Sequence, residues 1–267
     1  MRRVEAVIFD WAGTTVDHGS LAPVRAVTEL FHRHGIPLTD ANARKDMGIF
    51  KKDHIRNILA MPDVSRQWRE LTGAVPGEQD VSQLFSDFLP LQMRILEDYS
   101  QVIPGVPALT EELRSRGLCI GSTTGYTRPM LDVLIRKAAE QGYRCDQALC
   151  PDDAPGGRPQ PWMCLQLAIH FRLNATSAAV KIGDTVSDID EALNAGMWAV
   201  GVAATGNEIG LSLSDLESLP DEERRRRIEA ARTRLIAAGA HYVVDSAARI
   251  QPVLDEIETR LAAGDRP

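Results

Sequence analysis

Residues 4–17 read Val4-Glu5-Ala6-Val7-Ile8-Phe9-Asp10-Trp11-Ala12-Gly13-Thr14-Thr15-Val16-Asp17, a short apolar run that reaches an aspartate and continues into small, turn-forming residues. A run of this length before a turn-forming segment is typical of a strand buried on both faces of a parallel sheet. Asp10 then lies at the carboxyl end of the strand, the edge at which open α/β sheets bind ligands.

Similar apolar runs recur after residue 104 and alternate with amphipathic helical patterns. The predicted strands span residues 4–9, 118–124, 178–184, 198–202 and 241–245. The predicted helices span residues 106–116, 127–140, 161–171, 188–194 and 247–261. This alternation predicts an α/β fold whose core is a doubly wound, Rossmann-like parallel sheet.

The pattern changes between Asp17 and Pro104, where no strand is indicated. Four amphipathic helices are predicted there, over residues 21–34, 40–59, 63–71 and 79–96. We therefore expect an all-helical cap domain of residues 18–99, inserted into an α/β core domain made of residues 1–17 and 100–267. Because the insertion follows the first strand directly, the cap should lie over the ligand-binding edge, where it can exclude water from a substrate.

Composition and charge exclude several classes of protein. The chain has 267 residues, 44% of them hydrophobic and 25% charged, which is ordinary for a globular protein. A net charge of -7 gives no electrostatic reason to expect a nucleic acid or an anionic membrane as a partner. No stretch resembles a secretory signal or a membrane span, and the four scattered cysteines indicate neither a zinc site nor a disulfide framework. We expect a cytoplasmic protein that binds a small molecule.

Four motifs at predicted strand or helix boundaries resemble those of the haloacid dehalogenase superfamily. They are FDWAGTTVD at residues 9–17, TTGY at 123–126, GGRP at 156–159 and GDTVSD at 183–188. Taken singly, Asp10 or Asp188 would be a helix cap or turn former, and either Thr123 or Thr124 would be a cap. Arg158 alone would be an exposed loop arginine. Four such motifs in one order, spread over most of the chain, favour the superfamily.

The resemblance implies a role for each motif. In that superfamily the first aspartate attacks phosphorus and forms an aspartyl-phosphate, which corresponds to Asp10. Thr124 would hydrogen-bond the phosphate, and Arg158 would balance its negative charge. Mg²⁺ is the implied cofactor, and oxygen ligands suit it. The implied metal ligands are the carboxylates of Asp10, Asp184 and Asp188 and the backbone carbonyl of Ala12.

The residue at position 12 departs from the pattern of the superfamily. Its phosphatases carry a second aspartate two residues after the nucleophile, which protonates the leaving alkoxide, and this chain has Ala12 there. A phosphate ester would lose that proton donor. The chain is thus an impaired phosphatase, or its leaving group needs no such acid. A carbon leaving group meets the second condition if a protonated lysine imine accepts its electrons.

The predicted cap supplies a lysine in the stretch Met47-Gly48-Ile49-Phe50-Lys51-Lys52-Asp53-His54-Ile55. With the motifs above, this stretch resembles the phosphonoacetaldehyde hydrolases, or phosphonatases, and the resemblance extends over nearly the whole chain. In that family the lysine that follows Met-Gly and two apolar residues forms the imine, and this position is Lys51. The adjacent Lys52 leaves a second candidate.

Imine formation near neutral pH requires a lysine pKa below its usual value of about 10.4, through burial or neighbouring cations. Lys52 and His54 are candidate neighbours. His54 lies three residues after Lys51 on the same predicted helical face and could relay protons; the alternative is a surface histidine. Trp162 is a candidate for lining the pocket. The implied substrate-binding residues are Met47, Gly48, Gly125, Tyr126 and Ala12.

The resemblance implies a magnesium-dependent hydrolase that cleaves the carbon–phosphorus bond of phosphonoacetaldehyde to acetaldehyde and inorganic phosphate. The implied intermediates are a Schiff base on Lys51 and an aspartyl-phosphate on Asp10. A homodimer formed through the cap domains is implied as well. Three alternatives remain at this point: an ordinary phosphatase or phosphomutase, a catalytically silent binding protein, and a hydrolase of another carbonyl phosphonate.

Overall fold

The computed structural model describes residues 3–267. Its strands are β1 (Ala6–Phe9), β2 (Cys119–Thr123), β3 (Gln147–Leu149), β4 (Ala179–Gly183), β5 (Trp198–Val202) and β6 (Tyr242–Val244). They form one sheet in the order β3-β2-β1-β4-β5-β6, and every pair is parallel. β1 lies in the middle, with Ala6 opposite both Cys119 and Ala179. The strand order reverses there, so the end of β1 is at the topological switch point of the sheet.

After β1, residues 21–96 form five helices. They are α1 (Leu21–Arg33), α2 (Asp40–Arg44), α3 (Lys51–Leu59), α4 (Pro62–Thr72) and α5 (Glu78–Leu96). Their apolar faces pack on one another, and Phe31, Ile58 and Phe88 are fully buried between them. Each such side chain stabilises the packing by roughly 1.5–3 kcal/mol. These helices, called the cap below, lie within the predicted insertion of residues 18–99; the division into a cap domain and a core domain remains a prediction, and residues 1 and 2 lie outside the described residues.

Two linkers connect the helical cap to the sheet and lie side by side. The N–H of Asp17 donates to the carbonyl of Gln101 at 3.0 Å, and the N–H of Ile103 donates to the carbonyl of Thr15 at 2.9 Å. Both linkers therefore pass the same side of the sheet edge, and the cap is attached next to Asp10.

The prediction of a single helix over residues 40–59 is wrong, because helical structure is interrupted between α2 and α3. Asp46 and Gly48 have φ angles of 57° and 93°, in the left-handed region. A right-handed helix cannot pass through residues of this conformation. The break forms a loop of residues 45–50 that faces the core, and α3 begins anew at Lys51.

The remaining helices cover both faces of the sheet. They are α6 (Val106–Ser115), α7 (Arg128–Glu140), α8 (Trp162–His170), α9 (Val186–Asn194), α10 (Leu213–Ser218), α11 (Asp221–Ala237) and α12 (Gln251–Ala263). In β1, Val7 and Phe9 pack towards α6 and α12, whereas Ala6 and Ile8 pack towards α8. This alternation is that of a strand buried on both faces. The predicted doubly wound α/β fold is confirmed, while the three-residue strand β3 was too short to be indicated by an apolar run.

Among residues 3–267, none of the helices has the length and hydrophobicity needed to cross a bilayer.

Candidate active site

Polar residues follow three adjacent strands and meet at the centre of the sheet edge. Asp10 follows β1, Thr124 follows β2 and Asp184 follows β4. All three are nearly or fully buried. The N–H of Asp10 extends the sheet by donating to the carbonyl of Ile182 at 2.9 Å. The sheet thus fixes the backbone of Asp10 at the switch point.

Arg158 is a buried cation among these residues, so the alternative of an exposed loop arginine is wrong. Its Nη1 lies 2.7 Å from Oδ1 of Asp10 and 2.8 Å from Oδ1 of Asp188. Its Nε donates to Oε2 of Glu191 at 2.9 Å, and its Nη2 donates to the carbonyl of Thr123 at 2.6 Å. A guanidinium with this many partners has a fixed orientation and presents a permanent positive charge to Asp10.

Two further buried charges, Lys181 and Glu191, belong to this network and were missed by the motifs. Nζ of Lys181 lies 2.6 Å from Oδ1 of Asp188 and 3.6 Å from Oε2 of Glu191. Lys181 stands in the apolar run of β4, and that placement was a usable signal, because a buried ammonium needs carboxylate partners. Glu191 follows Asp188 by three residues on α9, which puts both carboxylates on one helix face.

The carboxylate of Asp188 already has partners on both oxygens. Oδ1 faces Arg158 and Lys181, and Oδ2 accepts a hydrogen bond from Oγ1 of Thr185 at 2.6 Å. Burial alone would raise the pKa of Asp188, but the two cations outweigh burial and hold the pKa below its usual value. In this arrangement Asp188 anchors Arg158. It could act as the predicted metal ligand only by giving up one of these partners.

The two threonines after β2 have different surroundings. Oγ1 of Thr123 donates to Glu191 at 2.9 Å, within the buried network. Oγ1 of Thr124 accepts from the N–H of Tyr126 at 3.2 Å, and Thr124 lines the cavity. Thr124 is therefore the residue of the pair whose hydroxyl a ligand in the cavity can reach.

The carboxylates at the sheet edge fit a divalent cation. Asp10, Asp184 and Asp188 each offer one oxygen, and these oxygens lie within 4.8 Å of one another. Together with Glu191 they make four buried carboxyl groups, and among residues 3–267 the cations within ion-pair distance of them are Arg158 and Lys181. Burial, with repulsion from Asp10 and Asp188, raises the pKa of Asp184 well above its usual value. Hard, oxygen-rich sites with excess negative charge are those that Mg²⁺ prefers.

Lys51, the first residue of α3, lines the same cavity from the cap side. It is 3% exposed, and its Nζ lies 3.4 Å from Sδ of Met47 and 5.6 Å from the centre of the Tyr126 ring. Burial lowers the pKa of Lys51 to about 8, although the charge of Asp10 opposes the shift. An amine with this pKa is neutral in about one molecule in ten at pH 7, far more often than a free lysine. These surroundings make Lys51 a candidate nucleophile.

Lys52 has different surroundings from Lys51. Its side chain is 31% exposed, and its Nζ lies 3.9 Å from Oε1 of Glu78 on the cap surface. Lys52 does not line the cavity. The geometry therefore favours Lys51 over Lys52 for reaction with a ligand.

His54 is fully buried, so it is not the surface histidine of the alternative interpretation. Neither ring nitrogen has a hydrogen-bond partner of good geometry among the described residues. Burial and the charge of Lys51 lower the pKa of His54 to about 3, although the backbone of Lys45 partly opposes the shift. His54 is neutral at neutral pH, and the proton relay predicted for it remains a prediction.

The loop of residues 45–50 presses the cap against the core. A Cβ atom added to Gly125 would lie 2.6 Å from the carbonyl oxygen of Gly48 and 2.5 Å from that of Ile49. Position 125 must therefore be glycine for these two segments of the chain to approach this closely. On the other side of the loop, Oγ of Ser187 donates to the carbonyl of Met47 at 3.3 Å. The backbone of the cap loop thus contacts the loop after β2 and the first turn of α9.

The narrow, partly open cavity between cap and core has a volume of about 20 Å³. This is room for about one water molecule and too little for an organic substrate, so the cap must move to admit one. The predicted residues that line the cavity are Asp10, Ala12, Met47, Gly48, Lys51, Thr124, Gly125, Tyr126, Arg158 and Asp184. Ser20, Pro23 and Thr185 line it too and were not predicted. Among the candidates, His54 and Asp188 lie outside the lining, and Trp162 is 42% exposed elsewhere.

Comparison with known proteins places this geometry in a family. The family model of haloacid dehalogenase-like hydrolases matches residues 4–196. The phosphonoacetaldehyde hydrolase of Syntrophobacter fumaroxidans is 43% identical over 264 residues, which cover 99% of this chain and 95% of that protein. The phosphonoacetaldehyde hydrolase of Bacillus cereus strain AH820 is 43% identical over 256 residues, with 96% and 97% coverage.

Solved structures agree with the sequence relatives. A phosphonoacetaldehyde hydrolase-like protein from Oleispira antarctica superposes with a TM-score of 0.97 at 41% identity, covering 99% of this chain and 96% of that one. A β-phosphoglucomutase from Clostridium difficile superposes with a TM-score of 0.69 at 18% identity, covering 97% and 99%. The second similarity shows a shared fold only.

Proposed function

The chain belongs to the haloacid dehalogenase-like hydrolases, within the family of the phosphonoacetaldehyde hydrolases, and on this premise we propose that it is a cytoplasmic enzyme that hydrolyses phosphonoacetaldehyde. The products of the proposed reaction are acetaldehyde and inorganic phosphate, formed by cleavage of the carbon–phosphorus bond. The observation that carries the proposal is one cavity lined by an amine from the cap, Lys51, and by a carboxylate from the core, Asp10.

The residue beside the nucleophile supports a carbon leaving group. Ala12 lines the cavity without a titratable side chain, so it cannot protonate a leaving alkoxide. A carbon leaving group needs instead a place for the electrons of the broken bond. The low pKa of Lys51 supplies the neutral amine from which such an electron acceptor, a protonated imine, is made.

The first step in this proposal joins the substrate to the cap. The neutral amine of Lys51 attacks the aldehyde carbon, one water molecule leaves, and the nitrogen retains a proton as the iminium. The thioether of Met47 and the ring of Tyr126 lie beside the amine, and no carboxylate of residues 3–267 forms an ion pair with it, so burial can raise the fraction of neutral amine before the reaction.

The second step transfers the phosphoryl group to the core. An oxygen of Asp10 bonds to phosphorus, the carbon–phosphorus bond breaks, and its electron pair moves into the iminium. An enamine remains on Lys51 and a phosphoryl group on Asp10. Arg158 contacts Asp10 at 2.7 Å and holds a fixed positive charge beside the group being transferred.

Hydrolysis completes the cycle. The enamine takes up a proton at carbon, and one water molecule releases acetaldehyde from Lys51. A second water molecule releases phosphate from Asp10. One water is lost in imine formation and two are consumed afterwards, so the net reaction uses one. The small volume of the cavity keeps other water from the enamine.

Mg²⁺ is the cofactor in this proposal, and Asp10, Asp184 and the carbonyl of Ala12 would hold it. When bound, it would offset the charge of the phosphonate and of Asp10, which otherwise repel each other. The excess of buried carboxyl groups over permanent cations supports this assignment.

The test measures phosphate and acetaldehyde released from phosphonoacetaldehyde with Mg²⁺, with and without borohydride. We expect equal release of both products, and permanent loss of activity when borohydride and substrate are added together. Lys51→Arg should lower the rate by roughly 10⁴-fold or more, because arginine forms no imine. Lys52→Arg is the matched control and should retain activity and borohydride sensitivity.

Two results would contradict the proposal. Release of phosphate that is unchanged in Lys51→Arg would remove the imine from the mechanism. Lysine-independent hydrolysis of a phosphate monoester, without cleavage of the phosphonate, would return the chain to the phosphatases.

The homodimer is part of the same proposal and concerns the cap surface. A groove of about 750 Å³ between α1 and α5 combines apolar residues such as Leu38 and Leu91 with charged residues of both signs, including Arg25 and Glu29. Such a surface can be complementary to a second copy across a two-fold axis. Light scattering should give twice the chain mass of 29.3 kDa. A particle of single-chain mass at micromolar concentration would contradict the dimer.

A further inference from the structure

Arg44, the last residue of α2, connects the cap with two other parts of the molecule. Its Nη1 donates to the carbonyl of Gly19, in the linker after β1, at 3.0 Å. The same nitrogen lies 3.0 Å from Oδ1 of Asn207, and Nη2 donates to the carbonyl of Gly210 at 3.2 Å. Both of these acceptors belong to the core loop that follows β5. All the acceptors are neutral, so these contacts position groups and do not form an ion pair.

The core loop is shaped to receive the guanidinium. Gly210 has a φ of +66°, and a Cβ atom there would lie 2.6 Å from Cζ of Arg44. Any side chain at this position would displace the guanidinium. The close approach therefore depends on glycine at position 210 as well as on Arg44.

The same loop holds a metal-site carboxylate on its other side. The N–H of Asn207 donates to Oδ2 of Asp184 at 2.7 Å, and both residues are buried. A Cβ atom at Gly206 would lie 2.5 Å from Cβ of Asp184, so the loop packs directly on this residue. Asn207 thus has its side chain on the cap arginine and its backbone on the carboxylate.

We propose that Arg44 is a positioning residue that couples closure of the cap to the orientation of Asp184 for its metal ion. This inference rests on the proposed function, because it takes Asp184 as a metal ligand. The cap must open to admit substrate, since the cavity measures about 20 Å³. Arg44 moves with the cap, whereas Asn207 and Gly210 remain with the core. Opening therefore removes the guanidinium from the loop that holds Asp184.

The coupling works in both directions. If the closed cap helps to orient Asp184, then a bound metal ion must favour the closed cap by the same factor. Metal binding would thus favour the closed cap, in which the imine-forming Lys51 lies beside Asp10. A merely structural Arg44 would instead attach α2 to the core and leave metal binding unchanged.

The test measures Mg²⁺ binding by calorimetry without substrate, which separates it from turnover. We expect Arg44→Met to weaken Mg²⁺ binding by about fivefold to tenfold, the range of modest coupling between sites. Arg44→Lys should fall between wild type and Arg44→Met, since an ammonium cannot reach all the acceptors. The surface variant Arg66→Met is the control, because that side chain is 60% exposed on the cap, and should bind Mg²⁺ as wild type does.

A double-mutant cycle with Asn207→Ala tests the path of the coupling. If Arg44 acts through Asn207, the double variant should bind Mg²⁺ no more weakly than the weaker single variant. Faster hydrogen exchange of the Asn207 amide in metal-free Arg44→Met is expected as well. A melting temperature close to wild type establishes that each variant is folded.

Equal Mg²⁺ affinity in wild type and folded Arg44→Met, or fully additive losses in the double variant, would overturn the coupling. Neither result depends on cleavage of phosphonoacetaldehyde. Failure of the proposed function would appear separately, as intact metal coupling without product release.

Discussion

Arg158 at the sheet edge contacts three carboxylates at 2.7 to 2.9 Å, whereas the amine of Lys51 on the cap lies beside a thioether and an aromatic ring and forms no ion pair within residues 3–267. Both cations are buried, yet they have opposite tasks. Carboxylate contacts keep the guanidinium permanently charged, and the lack of such contacts lets burial lower the pKa of the lysine to about 8. The core thus supplies fixed charges for the phosphoryl group, and the cap supplies an amine that loses its proton readily and can then attack the aldehyde.

If the two regions act in separate steps, removing the core nucleophile should leave the chemistry of the cap intact. We expect Asp10→Asn to lower phosphate release by roughly 10⁴-fold or more, because the amide cannot attack phosphorus. Imine formation on Lys51 should persist. Borohydride reduction in the presence of substrate, followed by mass measurement of the peptide containing Lys51, detects it.

The control for this variant is Lys51→Arg, which should give no reduced adduct. An Asp10→Asn protein that forms no adduct would show that the core carboxylate is needed for imine formation as well, and would break the division between core and cap.

A smaller effect is expected where the two regions touch. Gly125→Ala adds a Cβ atom 2.6 Å from the carbonyl oxygen of Gly48 and 2.5 Å from that of Ile49. These distances are too short for contact, so the substitution should hold the cap partly open. We expect kcat/KM to fall by about 10²-fold, the size of effect that a misplacement of about 1 Å produces. The melting temperature should change by no more than about 4 °C, since the contact lies between the two regions.

Gly156→Ala is the matched control, because a Cβ atom there would have its nearest neighbours at 3.8 Å. It should show nearly wild-type kinetics. Wild-type kcat/KM in Gly125→Ala would mean that the cap need not close this tightly on the core.

The smallest effect concerns the pH dependence of the cap chemistry. Burial depresses the pKa of Lys51 from 10.5 to about 8, so the neutral, reactive fraction grows as the pH rises through that value. The initial rate of imine trapping should rise about tenfold from pH 7 to pH 9 and level off above. Because the charge of Asp10 opposes the shift, the midpoint should move to lower pH in Asp10→Asn. A trapping rate that keeps rising above pH 10 would contradict a depressed pKa.

The sequence was most informative about the core. Short apolar runs predicted three strands that end at Asp10, Thr124 and Asp184. Because the carboxyl ends of parallel strands lie at the same edge of a sheet, these residues were predicted to lie together at that edge. The pairing of Lys181 with Asp188 and Glu191 was not predicted, since it depends on how β4 and α9 pack. A lysine in an apolar run indicated only that some partner exists.

The cap was predicted less well. Its helical character followed from periodicity, but the break at Asp46 and Gly48 did not, because residues on both sides fit one helical pattern. The loop that contains these left-handed residues contacts Gly125 and Ser187, which are far away in sequence, so the local pattern gave no sign of it. The contacts of Arg44 with Asn207 and Gly210 also join residues far apart in sequence, so no local pattern around these three residues indicated them.

The central place of β1 has a consequence for biosynthesis. This four-residue strand pairs with β2 and with β4, so the ribosome must add about 170 residues after Ala6 before both neighbours exist. Until then β1 can pair with β2 only, and its other edge stays unpaired, while the helices of the cap can already pack locally. A nascent chain therefore carries a strand with one unpaired edge until β4 is made, and chaperone demand should fall once β4 has left the exit tunnel.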